Sequence, residues 1–599
     1  MRGCIQQGGG KLVGCFQKTG PWRKWLERLT ATHWPLTLLA IAVYLLTMDR
    51  SASWWDCGEF ISTSWLLEVG HPPGAPFYQL VAHCMMLLSF GNPMLVAPLS
   101  NALSAICGGF TVGLLYLTIL ELNTKHLALS TRIGAAVGAM CYLFCDTAWF
   151  SAVESEVYSM AMLCCALDVY LMLRWRRTAN GRLLPLIALL LGLGVCVHLM
   201  TLLVAPALLL IYIKALKSFK PARTLKVVAV CLPLFLLGLT PYAIIPIRAA
   251  ANPPINEGRP ATAESFHRYL QREQYAKAPL YPRMWRERDA NNWKEWTLGL
   301  EGVPGNVVYY FGYQLTYMYG RYLMYNFIGR ENLKWRFVVL FIIPALLGAY
   351  GLWRHRRHDR EGYWTVMLLF LFGGVILNLY LNHPCYEPRE RDYAYVLSFY
   401  AFAAWIGIGA AECLGHRRWI TTLVLLAPLL LAVGNWSDHD RHNCHSVHDI
   451  SMAHLQSCDK DAILITLGDN DTFPLWYLQQ VERQRTDIDI YNINLTGFGR
   501  TMEIIDGERR EGGRPVYVSY YFLQRYGNLF PNRLRCEGYC WRLLLMPADG
   551  SIDDKGPLQR HLRDSIRFNI TKQEYLPSVS RNFLKMRDTY WTTANAGSR

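Results

Sequence analysis

The residues best suited to chemistry lie in Trp54-Trp55-Asp56-Cys57-Gly58-Glu59-Phe60 and Gly70-His71-Pro72-Pro73-Gly74-Ala75-Pro76. Asp56 and Glu59 are three positions apart, so one helical turn brings both carboxylates to the same face. Two neighbouring carboxylates separate their proton affinities, one serving as general base while the other orients it or binds substrate. The same spacing also suits a plain helix start, with Asp56 as cap and Glu59 against the positive end of the dipole. His71 precedes a Pro-Pro-Gly turn, where it either packs the turn or joins a site. Other groups able to act are Glu154, Glu156, His198, Arg248, Arg389 and Arg391. Acids beside arginines suit a phosphorylated ligand: guanidinium forks pair with phosphate oxygens, and acids activate a nucleophile. The alternative is an interfacial ion-pair network with no chemistry.

The elements that must position these residues are membrane spans. The chain has 599 residues, 52% of them hydrophobic and 18% charged, with a mean hydropathy of +0.12. That composition belongs to membrane proteins. The net charge is +15, but the basic residues sit in short linkers between apolar runs. They therefore read as a topology signal rather than as a nucleic-acid surface. Apolar runs long enough to span fall at 32–48, 94–121, 132–152, 155–173, 183–198, 199–215, 225–247, 336–353, 363–382, 394–414 and 418–435. They predict about eleven transmembrane helices. The weakest separation is 183–215, where His198 interrupts two short runs.

Alternate linkers carry the basic residues: Lys11 to Arg28, Lys125 to Arg132, Arg174 to Arg182, Lys214 to Lys226, Arg354 to Arg360, and His416 to Arg418. Counting spans puts all of them on the side of the N-terminus, which the positive-inside rule makes cytoplasmic. The domain reading is a basic cytoplasmic N-terminus over 1–31, a transmembrane domain over 32–435, and an outer-face domain over 436–599. The outer face also receives the first loop, 49–93, the corner at 152–154, the long loop 248–335 and the loop 383–393. Met48-Asp49-Arg50 follows the first run instead of a small-residue cleavage site, so that run reads as an uncleaved helix.

Within the first loop, Glu59 to Val69 is amphipathic at helical spacing, and Phe77 to Phe90 is a second apolar helix. The prolines between them stop the first. Tryptophans there and the aromatic residues of the long loop suit a membrane interface. After 435, Ala462–Thr466 reads as a buried strand, Gly468–Thr472 as a turn, Phe473–Arg483 as a helix and Ile488–Asn494 as a second strand. This βαβ unit predicts a parallel sheet. Asp469-Asn470-Asp471 sits at the strand's carboxyl end, where open α/β sheets place ligands. It lacks the glycine-rich phosphate pattern and the full calcium loop, which favours a turn or acceptor-binding role over a metal. No C-x-x-C metal spacing occurs among the 17 cysteines. Cys536 with Cys540, and Cys444 with Cys458, are either free thiols or disulfides if their side is oxidising.

The set W-D-C-G-E-F, G-H-P-P-G-A-P, E-S-E-V-Y, N-P-P-I-N-E-G-R-P, R-E-Q-Y, Y-E-P-R-E-R-D-Y and G-D-N-D-T-F-P-L-W-Y-L-Q resembles a bacterial membrane family filed as domain of unknown function 2723. The resemblance runs from the first span to about residue 500. That family looks like a branch of the GT-C glycosyltransferases, with a eukaryotic relative that is a protein O-mannosyltransferase. The resemblance implies a GT-C fold in a bacterial inner membrane, with a periplasmic C-terminal α/β domain. It also implies an inverting transfer of a mannose-like hexose from a polyprenyl-phosphate sugar to Ser/Thr hydroxyls of translocated proteins. Asp56 would be the base and Glu59 its partner. Arg389, Arg391 and Arg248 would hold the donor phosphate, and His71, Glu154, Glu156 and His198 would contact substrate. No cofactor and no metal are expected, the lipid-linked sugar being a substrate. The partners would be that donor, periplasmic acceptor proteins and membrane lipid, with no nucleic acid.

The same chemistry on a lipid or glycan acceptor is the alternative. A non-enzymatic transporter or secretion component is a third reading. It should show acids within spans and inverted repeats, whereas these acids line one face and no repeat is evident. A reporter fused at residue 440 is expected to report the non-cytoplasmic side; a cytoplasmic signal would overturn the topology.

Overall fold

The computed structural model describes residues 30–544 apart from 31, 124–127, 217–220, 276, 287–288, 330–341, 386, 388, 415–416, 509–512 and 532. The basic N-terminus before residue 30, the first part of the 336–353 run and the chain beyond 544 lie outside the described residues.

The chain builds a multi-pass helical body followed by a small α/β unit. The first helices are α1 (Trp34–Thr47), α2 (Cys57–Leu66), α3 (Pro76–Met86), α4 (Pro93–Leu122), α5 (Leu129–Leu143), α6 (Asp146–Ala152), α7 (Val157–Thr178) and α8 (Leu183–Val195). The later ones include α9 (Pro221–Gly238), α10 (Ile343–His358), α11 (Arg360–Phe370), α12 (Val396–Cys413) and α13 (Arg418–His439). Among the described residues, 6 helical stretches are long and apolar enough to cross a membrane, or up to 7 if α5 and α6, bent by 65°, form one span. The predicted runs 32–48, 183–198 and 199–215 appear as helices of 10–17 residues. Helix length among the described residues alone therefore does not establish eleven spans, and part of the 336–353 run lies outside them. A 14-residue helix such as α1 rises only about 21 Å, short of the roughly 30 Å hydrocarbon core.

The outward residues of the helices stay apolar because lipid, not water, is their solvent: Leu38, Leu46, Leu232, Leu237, Leu429 and Val433 are exposed. Between helices the packing uses small residues. A Cβ at Gly138 on α5 would sit 2.7 Å from the Ala403 carbonyl oxygen of α12. Gly407 of α12 lies equally close, so the two backbones touch. Aromatic residues of α12 fill the centre, with Trp405, Phe399 and Tyr400 fully buried.

The first loop is pinned onto this bundle. Asn101 of α4 donates from Nδ2 to the Asp49 and Ser51 carbonyls at 2.8 and 3.0 Å. Tyr78 of α3 shares a 2.8 Å hydrogen bond with Ser155, which also meets Ser100 at 2.6 Å. The long loop then clasps the first: Val69 donates to the Ile255 carbonyl and Glu257 donates back to the Val69 carbonyl. Tyr269 donates its hydroxyl to the Gly70 carbonyl at 2.7 Å.

The C-terminal unit comprises α14 (Ser446–Ser457), β1 (Ile463–Thr466), α15 (Asp469–Gln480), β2 (Asp489–Asn492), β3 (Val516–Val518), β4 (Leu534–Glu537) and β5 (Cys540–Leu543). The sheet order is β2-β1-β3-β5-β4. β1 pairs in parallel with both β2 and β3, with Ile463 opposite Asp489 and Val516. The β3–β5 and β4–β5 pairs are antiparallel. The expected βαβ unit is present, but its helix starts earlier than the pattern predicts. Gly468, at φ +87°, turns the chain so that Asp469-Asn470-Asp471 opens α15 instead of forming a free turn.

The cysteines meet partners that sequence spacing does not indicate. Cys458 and Cys540 both point their thiols at the His454 carbonyl, at 3.5 and 3.6 Å, whereas the Cys536 thiol turns to the Gly538 carbonyl. Among the described residues Cys444, Cys458, Cys536 and Cys540 are thiols rather than disulfides.

Gly138→Val should force α5 from α12 and cost about 1–3 kcal/mol by overpacking. A thermal-shift measurement in detergent would check this; an unchanged melting temperature would refute the close approach.

Candidate active site

Asp56 is the N-cap residue of α2, yet its side chain makes no cap hydrogen bond. The plain helix-start alternative therefore does not describe its side chain. Glu59, one turn on, is fully buried and is held from the proline turn. The His71 amide donates to its Oε1 at 2.6 Å, and His71 Nδ1 lies 2.7 Å from its Oε2. Burial works against a charge on His71. The Glu59 carboxylate outweighs it, helped by Asp56 and Glu257, and holds the imidazole well above its usual range. The pair is thus imidazolium and carboxylate. Gly70 must be glycine because a Cβ there would strike Glu59 Oε1.

Ligand atoms of Asp56, Glu59 and His71 all lie within 4.8 Å of one another. That proximity also suits a cation, although the His71–Glu59 contact has hydrogen-bond length.

Glu156, at the corner before α7, has both carboxylate oxygens buried without a hydrogen-bond partner. Burial first, then the nearby Asp56 charge, push its carboxyl well above the usual range, against the pull of Arg389. Arg389 stacks on the Trp55 and Tyr393 rings, its guanidinium carbon 4.9 and 4.2 Å from their centroids. Its Nε is buried without a hydrogen-bond partner. These groups line a small cavity walled by Trp55, Glu154, Glu156, Tyr158, Arg389 and Tyr393, among others.

The remaining expected site residues have other employment. Arg248 donates Nε to the Leu67 carbonyl at 2.5 Å and a terminal nitrogen to Leu66 at 3.1 Å, so it closes the end of α2. Arg391 is bound to Glu387 at 2.8 Å and to the Tyr393 hydroxyl at 2.7 Å. Glu154 is neutralised by Arg441, which follows α13, at 2.6 Å. His198 accepts from the Met200 amide at 3.1 Å as a helix cap. Burial, with help from Arg272 and His71, lowers it to about 4 and leaves it neutral.

Three further participants are not joined to the Glu59–His71 pair by the sequence, although Asp469-Asn470-Asp471 reads there as a turn or acceptor-binding loop. Glu257, from the long loop, reaches Glu59 and His71 and is pushed up by burial and by Glu59. Asp469, the first residue of α15, is raised to about 6 by partial desolvation and then by the charges of Asp56 and Glu59, against the pull of His71 and Arg389. Asn470 accepts the Trp55 amide at 2.5 Å. Both Glu257 and Asp469 lay in quoted motifs, but nothing in the one-dimensional order joins residues 56, 257 and 469.

Residues 56–220 match the family model described as the N-terminal domain of protein O-mannosyl-transferase TMEM260. Residues 447–499 match TMEM260-associated domain 2. The chain is 23% identical over 483 residues to protein O-mannosyl-transferase TMEM260 of Mus musculus, covering 79% of this chain and 63% of that protein. It is 22% identical over 500 residues to the protein of that name from Dictyostelium discoideum, covering 76% and 56%. The chain thus spans less than two thirds of the length of either relative. Among solved structures, ArnT from Cupriavidus metallidurans in the apo state aligns with a TM-score of 0.41 at 12% identity, over 86% of this chain and 97% of that one. The same protein bound to undecaprenyl phosphate aligns at 0.37 and 11%, over 86% and 98%. The first matched segment holds Asp56, Glu59, His71 and Glu156, and the second holds Asp469 and Asn470.

Replacing His71 by Ala leaves the Glu59 charge buried and unpaired, a loss of about 3–5 kcal/mol. Because folding raises the His71 affinity for its proton, its contribution is complete below about pH 6.5 and fades as pH climbs through the raised value. Thermal unfolding of wild type and H71A against pH checks both; a gap that widened with rising pH would contradict the ion pair.

Proposed function

We propose that this protein is an inverting membrane glycosyltransferase that moves a mannose-like hexose from a polyprenyl-phosphate donor to Ser/Thr hydroxyls of translocated proteins. The observation that carries the reading is that Asp56 lies within 4.8 Å of the Glu59–His71 pair and directly follows Trp55, which lines the Arg389–Glu156 cavity. Its matched segment belongs to a model named for a protein O-mannosyl-transferase. The spans run from a cytoplasmic N-terminus to a C-terminal domain on the opposite face, which in a bacterial inner membrane is the periplasm.

Asp56 acts as base. Both Glu59 oxygens are engaged by His71, which favours Glu59 as the group that fixes the turn. The Asp56 carboxyl is half-buried and free of cap bonds. It takes the proton as the acceptor oxygen attacks C1 of the sugar from the face opposite the phosphate. The C1–O bond to phosphate breaks and its electron pair leaves with the phosphate. Arg389, held flat between aromatic rings, offers charge-assisted hydrogen bonds to that developing anion. Glu156, kept protonated by its burial and by Asp56, donates a hydrogen bond there without adding repulsion. The cavity takes the sugar phosphate, while the exposed apolar helices leave the polyprenyl chain in lipid.

The test incubates purified protein with labelled polyprenyl-phosphate mannose, then with other hexoses, and a library of Ser/Thr peptides. Transfer should fall about 10²–10⁴-fold in Asp56→Asn, and Arg389→Ala should raise the donor KM. Chelation with EDTA should leave the rate within about twofold, since the assigned steps need no metal. Absence of transfer by wild type with every hexose would overturn the reading. Undiminished transfer by Asp56→Asn would remove Asp56 as base, and a chelator-sensitive rate restored by a divalent cation would recast the acid cluster as a metal site.

A further inference from the structure

The residue before the base is strained. Trp55 holds φ at +63°, a left-handed conformation that bulky side chains rarely adopt and that persists only when its surroundings impose it. The imposing contact comes from the C-terminal unit: Asn470 Oδ1 accepts the Trp55 amide at 2.5 Å. The Trp55 ring in turn supports Arg389. Just beyond, α2 meets α15 at backbone distance, so that a Cβ on Gly58 would lie 2.6 Å from the Phe473 carbonyl oxygen. Asp471 does not face the cleft, since its carboxylate accepts from the Leu467 amide at 2.8 Å and from the Ser519 hydroxyl. Asp469 is different. It is the exposed first residue of α15, next to the Asn470 that holds Trp55, and it feels the charges of Asp56, Glu59 and His71. Glu257 faces the same group, its Oε1 buried without a hydrogen-bond partner and the residue only 6% exposed.

We propose that the C-terminal α/β unit is a working part of the transfer site: Asn470 is a positioning residue that sets Trp55, and through it Asp56 and Arg389, while Asp469 forms the acceptor-side wall. The proposal rests on the transfer reading above and deepens it. The donor phosphate belongs with Arg389 and Glu156 on one side of Asp56. The acceptor polypeptide then passes over the exposed start of α15, beside Asp56, where the Asp469 carboxylate accepts hydrogen bonds from its amide or hydroxyl groups. The α/β unit thereby brings recognition of the acceptor to the base itself.

Hydrogen exchange and kinetics on the full chain in detergent test both halves. Asn470→Ala should speed exchange of the Trp55 amide at least about tenfold and lower kcat about tenfold or more with the peptide KM held. Asn470→Asp, which keeps an acceptor oxygen, should restore both. Asp469→Asn should raise the KM for the Ser/Thr peptide library at least about fivefold with the donor KM unchanged. Unaltered Trp55 exchange in Asn470→Ala overturns the positioning role, and an unaltered peptide KM in Asp469→Asn overturns the acceptor wall. If wild type transfers no sugar, the transfer reading fails instead. Trp55 exchange then still decides Asn470, and equilibrium binding of the same peptides without donor decides Asp469, with no loss in Asp469→Asn counting against it.

Discussion

Glu59 has no contact with solvent, and a carboxylate in that position must be paired or neutralised. His71 supplies the pairing from a turn twelve residues on, using its ring and its backbone amide together. This one contact sets the first loop. It fixes the start of α2, the path of the Pro-Pro-Gly turn and the glycine at position 70. Once α2 is fixed, Asp56 is carried to its place at the cap without being consumed as a cap. The long loop and the C-terminal unit then close on a surface whose shape is already determined.

Charge is distributed around that centre unevenly. Glu154 is cancelled by Arg441, and Arg391 by Glu387. Glu156, Glu257 and Asp469 have no such strong partner; desolvation, with the charge of Asp56 on Glu156 and Asp469 and of Glu59 on Glu257 and Asp469, raises their proton affinity. Arg389 is the cation set among them, flanked by rings rather than by a single acid. An arrangement optimised only for stability would pair each acid; acids left without an ion-pair partner near a buried arginine mark a candidate functional site.

Much of this was legible in one dimension. The apolar runs located nearly every long helix, because lipid demands about twenty apolar residues whatever the tertiary fold. The βαβ pattern located β1, α15 and β2, since buried strands carry their own signature of Ile and Leu. The acid pair at 56 and 59 and the histidine at 71 stood out because their types are costly at a membrane boundary. The helical lengths were less legible. Helices end where caps, bends and packing end them, so α1, α8 and the 199–215 segment stop short of full spans, and the 132–152 run bends by 65°.

Which of Asp56 and Glu59 is held by His71 needed the tertiary structure. The fate of the arginines needed it as well. Arg248, Arg389 and Arg391 look alike in sequence, yet they close a helix, face a cavity and pair with Glu387, respectively. Which carbonyl or carboxylate lies within 3 Å of a guanidinium is a property of the fold. The sequence by itself determined the residue types, their order and their confinement to helices and loops, since hydropathy and backbone sterics act locally. Only the tertiary structure brought Asp56, Glu257 and Asp469 together, because contacts across hundreds of residues arise from packing and leave no local trace.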